Sequence, residues 1–286
     1  MASNLKLFNQ TITSPNVQAY LQNVLGEKKA EFVNNITALV SNDAQLQECE
    51  PKTLMFAALK ATALDLPLDP NLGFAHVIPF KNNKIGIIEA QFQIGYKGIT
   101  QLAIRSGQFK TINVTDVREG ELKGRDRRTG YVTIEWIEDE KKRNDAKVIG
   151  YLGYFKLLNG YEKESYWSLE ELNKHGVQYS QTYKKGYGVW KDNFDAMAKK
   201  TVLKLMLNKG DAPMSVQMQQ AIKYDQSVII DEQGNARYID NQAKPSNEEQ
   251  VQQFLNAEEA QVVENPTEAA EPANPEDGSN LFDGKE

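Results

Sequence analysis

Ten of the 26 aromatic side chains fall within residues 151–190: Tyr151, Tyr154, Phe155, Tyr161, Tyr166, Trp167, Tyr179, Tyr183, Tyr187 and Trp190. Lys184, Lys185 and Lys191 are mixed among the last of them. Cationic side chains neutralise phosphates and release counterions, and aromatic faces accept unstacked bases, so a single-stranded nucleic-acid site wants both kinds interleaved. Alternating Tyr and Phe in strands are also ordinary sheet core, the favoured reading for Tyr154, Phe155 and Trp167. Tyr183, Lys184, Lys185, Tyr187 and Trp190 lie in a Gly-bearing stretch and are the functional candidates.

Two further basic groups invite the same chemistry. Lys123-Gly124-Arg125-Asp126-Arg127-Arg128 reads as a turn between strands; three Arg in four positions can clamp adjacent phosphates, and such a turn can equally be merely solvated. Lys200 and Lys204 stand one helical turn apart on one face, with Lys199 about 100° round, so that helix can present charge to a groove while its other faces pack. The run Lys141-Lys142-Arg143 is diluted by Glu138, Asp139, Glu140 and Asp145 and reads as a solvated hairpin loop.

Bond-making chemistry finds less support. There is no G-x-x-x-x-G-K-[ST] phosphate cradle, and Gly186-Tyr187-Gly188 is too short to replace one. There is no G-x-S-x-G elbow, and Cys49, with no basic neighbour in sequence, reads as a small buried residue. One Cys with His76 and His175 cannot assemble the usual Cys/His zinc site. The sharpest enzymatic alternative is a Mg²⁺-dependent nuclease: Asp69 precedes Glu89-Ala90-Gln91 by twenty residues on a predicted hairpin, as two carboxylates near a Lys would. Gln91 stands where that Lys belongs, which favours Asp69 as a turn cap and Glu89 as a solvated strand residue.

The elements that would position these groups follow from periodicity. The first eighty residues read as helices, with Phe32, Val33, Ile36, Leu39 and Val40 at helical spacing and Pro51 opening a helix that Leu66-Pro67 stops. A hairpin follows, with Ala75–Phe80 and Ile85–Ile94 joined by residues 81–84. Gly95-Tyr96-Lys97-Gly98 opens an amphipathic helix ending at Gly107. Strands are expected over Phe109–Val117, Tyr131–Ile137, Val148–Leu158 and Tyr161–Trp167, the last two joined by Asn159-Gly160. Ser168 and Glu171 form a capping box, residues 176–189 a loop, and Lys191–Asn208 a helix apolar nearly all round after Thr201. After Pro213 a short helix to about Lys223 and the fragment Val228–Ile239 are all that pattern supports. The fold class is α+β: N-terminal helices, then a central, mostly antiparallel sheet of hairpins packed on helices, then an acidic tail.

Composition sharpens the partner. The 286 residues carry a net charge of −6, but residues 246–286 hold eleven acids against Lys285, a net of −10, while residues 81–210 hold 24 bases against 16 acids, a net of +8. The positive charge sits in the middle of the chain. Residues 244–286, rich in Pro, Glu, Asn, Gln and Ala, have the composition of a disordered tail. No run approaches a membrane span and no signal-like start is present, which predicts a soluble intracellular protein with no membrane partner. A structural or adaptor protein whose basic face meets an acidic protein is the rival outside enzymes.

Three segments together resemble the RecT family of phage and prophage recombinases: Ala57–Phe80 (AALKATALDLPLDPNLGFAHVIPF), Gln91–Gly107 (QFQIGYKGITQLAIRSG) and Val189–Leu205 (VWKDNFDAMAKKTVLKL). They occur in the family's order over residues 25–215, with strand Gly150–Leu158 and the Trp-Ser-Leu-Glu-Glu helix start in place. One departure is Glu121-Leu122-Lys123, where members often carry an acidic-x-aromatic step. The resemblance implies a single-strand annealing protein, not an enzyme, that coats single-stranded DNA and pairs it with its complement, with strand invasion, without ATP or another cofactor, Mg²⁺ at most modulating DNA binding. It implies a homo-oligomeric ring or helical filament in the bacterial cytoplasm, working with a phage exonuclease and the host single-strand-binding protein through the C-terminal region. The expected organisation is an N-terminal segment over 1–25, open to subunit contact, an annealing core over 26–212, a small C-terminal region over 213–243 and the tail over 244–286. The expected DNA contacts are Lys97 and Arg105; Arg125, Arg127 and Arg128; Lys184, Lys185 and Lys191; and Lys199, Lys200 and Lys204. Tyr96, Tyr187 and Trp190 are the candidate stacking or wedge residues, and no catalytic or metal residue is expected.

Overall fold

The computed structural model describes residues 2–83 and 85–238; the expected acidic tail lies outside them. Four helices come first: α1 (Ala2–Ile12), α2 (Pro15–Leu25), α3 (Lys29–Ser41) and α4 (Pro51–Ala63). Pro15 and Pro51 each occupy a first helical turn, where a missing N–H costs nothing. Glu50 caps α4 by accepting from Thr53 N at 2.9 Å. Phe32, Ile36 and Val40 are buried at the period read from the sequence. From Leu54 to Leu59 every residue of α4 is buried, so this helix is the centre of the core rather than a surface element.

All named strands pair antiparallel, but in three sheets rather than one. Strand β1 (Ala75–Asn82) pairs β2 (Ile87–Ile94) from Ala75↔Ile94 to Asn82↔Ile87. The strands outrun the predicted loop because Asn82 turns inward and donates to Glu89 Oε2 at 2.8 Å. β8 (Ser227–Ile229) and β9 (Ala236–Tyr238) complete the order β1-β2-β8-β9. The small C-terminal region expected over 213–243 contributes, as far as residue 238, two strands to the first sheet. The second sheet has the order β3-β6-β7, from β3 (Phe109–Arg118), β6 (Val148–Leu157) and β7 (Glu162–Ser168). The third is the small pair β4 (Leu122–Arg125) and β5 (Val132–Ile134), which packs on it through Val117, Leu152 and Tyr166. β5 is shorter than predicted because buried Glu121 captures the chain beyond it: Glu135 N donates to Glu121 O at 2.9 Å.

The remaining helices are α5 (Tyr96–Arg105), α6 (Glu140–Asp145), α7 (Leu169–Tyr179), α8 (Gln181–Lys184), α9 (Val189–Asp192), α10 (Phe194–Leu207) and α11 (Val216–Tyr224). Two predicted loops are thus helical. The solvated hairpin loop at 141–143 is α6, capped by Asp139, with Arg143 bonded to buried Glu121 at 2.8 Å. The 176–189 loop holds the end of α7 and all of α8, whose Tyr183 N donates to Ser180 Oγ. The predicted helix from Lys191 is broken at Asn193, which leaves helical backbone at φ −133°. The capping box at Ser168 forms with both bonds present. Among the described residues no helix is long and apolar enough to cross a membrane.

Gly95 and Gly98 seat α5 against the chain leading into β1. A Cβ on Gly98 would overlap the Phe74 carbonyl oxygen and lie 2.9 Å from Ile94 Cγ1. Backbone on one side and buried Ile94 on the other leave nothing that can yield, so Gly98→Ala is expected to cost about 3 kcal/mol in urea unfolding. A loss below about 0.5 kcal/mol would show that α5 can shift.

Candidate nucleic-acid interface

The basic turn is held from below. Asp126 accepts from Arg128 N at 2.8 Å and from Thr129 Oγ1 at 2.9 Å, and Gly130 closes the turn at φ +81°. Val132 N donates to Glu164 Oε2 at 2.9 Å and Tyr131 Oη to Glu162 O at 3.2 Å, tying the pair to β7. The turn is consequently a fixed platform. Arg125, Arg127 and Arg128 are exposed, and none makes an ion pair among the described residues.

Lys184 and Lys185 end α8, and Lys191 lies on α9; all three are exposed, without an ion pair among the described residues. Tyr187 sits between them, 54% exposed, in a link bounded by Gly186 and Gly188 at positive φ. Lys97 is likewise exposed at the start of α5. Tyr96 is half-buried, with the Lys199 ammonium 5.8 Å from its ring centroid. Lys199 also pairs with Asp195 at 2.8 Å.

Four of the residues expected to contact DNA have partners within the fold. Lys200 is not on an exposed face: its side chain is 5% exposed and its ammonium lies 2.7 Å from Asp225 Oδ1. Lys204 bonds the other oxygen of the same carboxylate at 2.8 Å and keeps a 27% exposed side chain. Arg105 donates to the carbonyls of Leu64 and Asp65, at 3.2 and 2.9 Å, closing the C-terminus of α4. Trp190 is 4% exposed, with His175, Tyr183 and Phe194 against its ring, so its faces are already occupied.

Asp225, which sequence reasoning missed, organises this side of the molecule. It also accepts from Ile94 N at 3.2 Å, so one buried carboxylate joins β2, α10 and the α11–β8 link. Burial pushes its pKa up, but the two lysine charges and their hydrogen bonds outweigh burial and hold it below the ordinary carboxylate value. Burial pulls Lys200 down, opposed by Asp225. His175 stacks on Tyr179 with centroids 4.5 Å apart, and burial followed by the Lys204 charge lowers its pKa to about 4. The unfolded chain therefore binds a proton at His175 that the folded chain refuses, and stability should fall as pH drops from about 6.5 towards 4. Thermal unfolding of wild type and His175→Phe across that window checks this; the variant should lose part of the slope.

The nuclease constellation is not assembled. Asp69 accepts from Asn71 N at 2.9 Å in an exposed turn, as a turn cap. Glu89, expected as solvated, is 3% exposed and engaged by Asn82 and by Arg237 at 2.6 Å. Gln91 is also buried, and its Nε2 makes no hydrogen bond. Cys49 is buried, as expected, and burial followed by nearby carboxylates pushes its thiol pKa up to about 12.

An α+β scaffold that holds its cations out on short turns and helix ends, beside an exposed tyrosine, has the surface chemistry of a polyanion-binding protein. The chain belongs to the RecT family: the family model matches residues 30–243. The chain is 38% identical over 246 residues to "Uncharacterized protein YqaK" of Bacillus subtilis (strain 168), covering 84% of this chain and 81% of that one. It is 27% identical over 191 residues to "Protein RecT" of Escherichia coli (strain K12), covering 63% and 65%. Membership carries with it DNA binding, oligomerisation and single-strand annealing in phage-type recombination.

Proposed function

We propose that this chain anneals complementary single strands without ATP, with Lys97, Arg125, Arg127, Arg128, Lys184, Lys185 and Lys191 holding the phosphate backbone. The observation that carries this reading is that these seven cations are exposed and, among the described residues, free of ion pairs, while the cations packed against α4, α10 and α11 are engaged internally. Holding a strand by its phosphates leaves the base edges open for Watson–Crick pairing, and copies of the chain side by side add avidity without new contacts. Tyr187 is the stacking residue of this set. The working form is a ring or helical filament, strand invasion follows from the same grip on one strand, and Mg²⁺ acts only on the strength of DNA binding. An exonuclease that exposes the strand and the host single-strand-binding protein dock through the C-terminal region.

Mixing the protein with one oligonucleotide and then its complement, with no nucleotide present, should yield duplex faster than the protein-free control, together with rings or filaments in the microscope. Neither faster annealing nor assemblies would overturn the reading, and strands cleaved with Mg²⁺ would replace it with a nuclease. Deleting residues 246–286 changes the net charge from −6 to +4. If the acidic tail competes with DNA for the cations, the truncated chain should bind single strands several-fold tighter at low salt, with the difference vanishing towards 1 M, where the Debye length is about 3 Å. Equal affinity at low salt would assign the tail to docking or solubility instead.

A further inference from the structure

A cavity of about 210 Å³ opens between α7, α10 and the α11–β8 link. Its lining combines the rings of His175, Tyr179 and Trp190 with Lys200, Lys204, Asp225 and Gln226. Rings and charged groups thus line one space, too small for a run of stacked bases. At about 30 Å³ per water it would hold roughly seven waters.

The charge in this cavity does not balance. Two ammonium groups share one carboxylate, and among the described residues neither has a second acid within ion-pair distance. Each ammonium has three N–H donors. Among the described residues Lys200, though nearly fully buried, makes one hydrogen bond, and Lys204 makes one. His175 adds no negative charge. Buried cations are normally matched in charge and in hydrogen bonds, so donors left over beside a cavity call for an anionic oxygen. A half-buried tyrosine ring lining the same space calls for a flat apolar surface. Gln226, at φ +66°, holds its part of the lining in the left-handed region.

The geometry points to a pocket for a single nucleotide of the bound strand, its phosphate on Lys204 and Lys200 and its unstacked base against Tyr179. This rests on the proposed grip of the exposed cations on DNA and extends it: those cations run along the backbone, and the pocket takes one base out of line. Lys200 and Lys204 thereby return to the DNA, from inside a cavity rather than from an exposed helix face.

The test uses the full-length protein and a single-stranded oligonucleotide carrying 5-iodouracil, cross-linked by light and mapped by mass spectrometry. Cross-links to Tyr179 or His175 are expected. Lys204→Met should bind about fivefold more weakly at moderate salt, with the salt slope lowered by about 0.7, the loss of one single-strand phosphate contact. Tyr179→Leu should abolish the quenching of a 2-aminopurine base while leaving the salt slope unchanged. A wild-type protein that retains the oligonucleotide but cross-links only at Tyr187 or elsewhere overturns the pocket and leaves the DNA grip standing. A wild-type protein that retains no oligonucleotide overturns both. Because the cross-linking uses wild type, the result stands even if a variant proves unstable by thermal unfolding.

Discussion

Replacing Asp225 by alanine is expected to cost about 3–5 kcal/mol, the largest loss from any single side chain described above. The carboxylate is 1% exposed and receives Lys200, Lys204 and the Ile94 N–H. Removing one partner of a buried pair leaves the other charge without compensation, and the penalty is that of a naked buried ion rather than of one hydrogen bond. Here two ammonium groups lose their counter-ion, although Lys204 can swing out to water. Lys200 cannot. The double variant Asp225→Ala/Lys200→Met should therefore recover a good part of the loss, since it removes the stranded charge and keeps the volume. Urea unfolding of wild type, both single variants and the double variant closes the cycle. A loss under 1 kcal/mol for Asp225→Ala would mean that water in the cavity compensates both ammonium groups. The pH dependence has a definite sign: a depressed carboxylate pKa contributes stability that is present above the unfolded value of about 3.9 and is lost as pH falls through the folded value.

The second large effect concerns binding. In the fourfold variant Arg127→Ala/Arg128→Ala/Lys184→Ala/Lys185→Ala, affinity for single-stranded DNA should drop about 10²-fold near 0.15 M salt, and the slope of log K against log[salt] should fall by about 3. Each single-strand phosphate contact contributes about 0.7 to that slope. The melting temperature should not move, because none of the four side chains makes an ion pair among the described residues. Arg105→Ala should do the opposite, lowering stability through the lost α4 C-terminal bonds with little change in salt slope. An unchanged slope in the fourfold variant would place the strand elsewhere.

These contrasts separate what was legible in the residues from what was not. Proline and capping chemistry announced α4 and α7 because those signals act over three or four residues. The hairpin of β1 and β2 and the turn of β6 into β7 were legible for the same reason. The 176–189 stretch was not, since Gly, Tyr and Lys there favour no period strongly and the helices α8 and α9 form around packing on Trp190.

Charge shows the division most clearly. The family, the α+β class, the basic middle of the chain and the exposed turn at Arg125, Arg127 and Arg128 can all be read along the chain, because they depend on composition and short-range spacing. Which lysines remain free cannot. Lys200 and Lys204 look like a helix face offered to a groove until Asp225, twenty-five and twenty-one positions away, is brought beneath them. Glu89 looks solvated until Arg237 arrives from β9. An ion's role is set by its nearest opposite charge and by its distance from water, and both are properties of the folded chain.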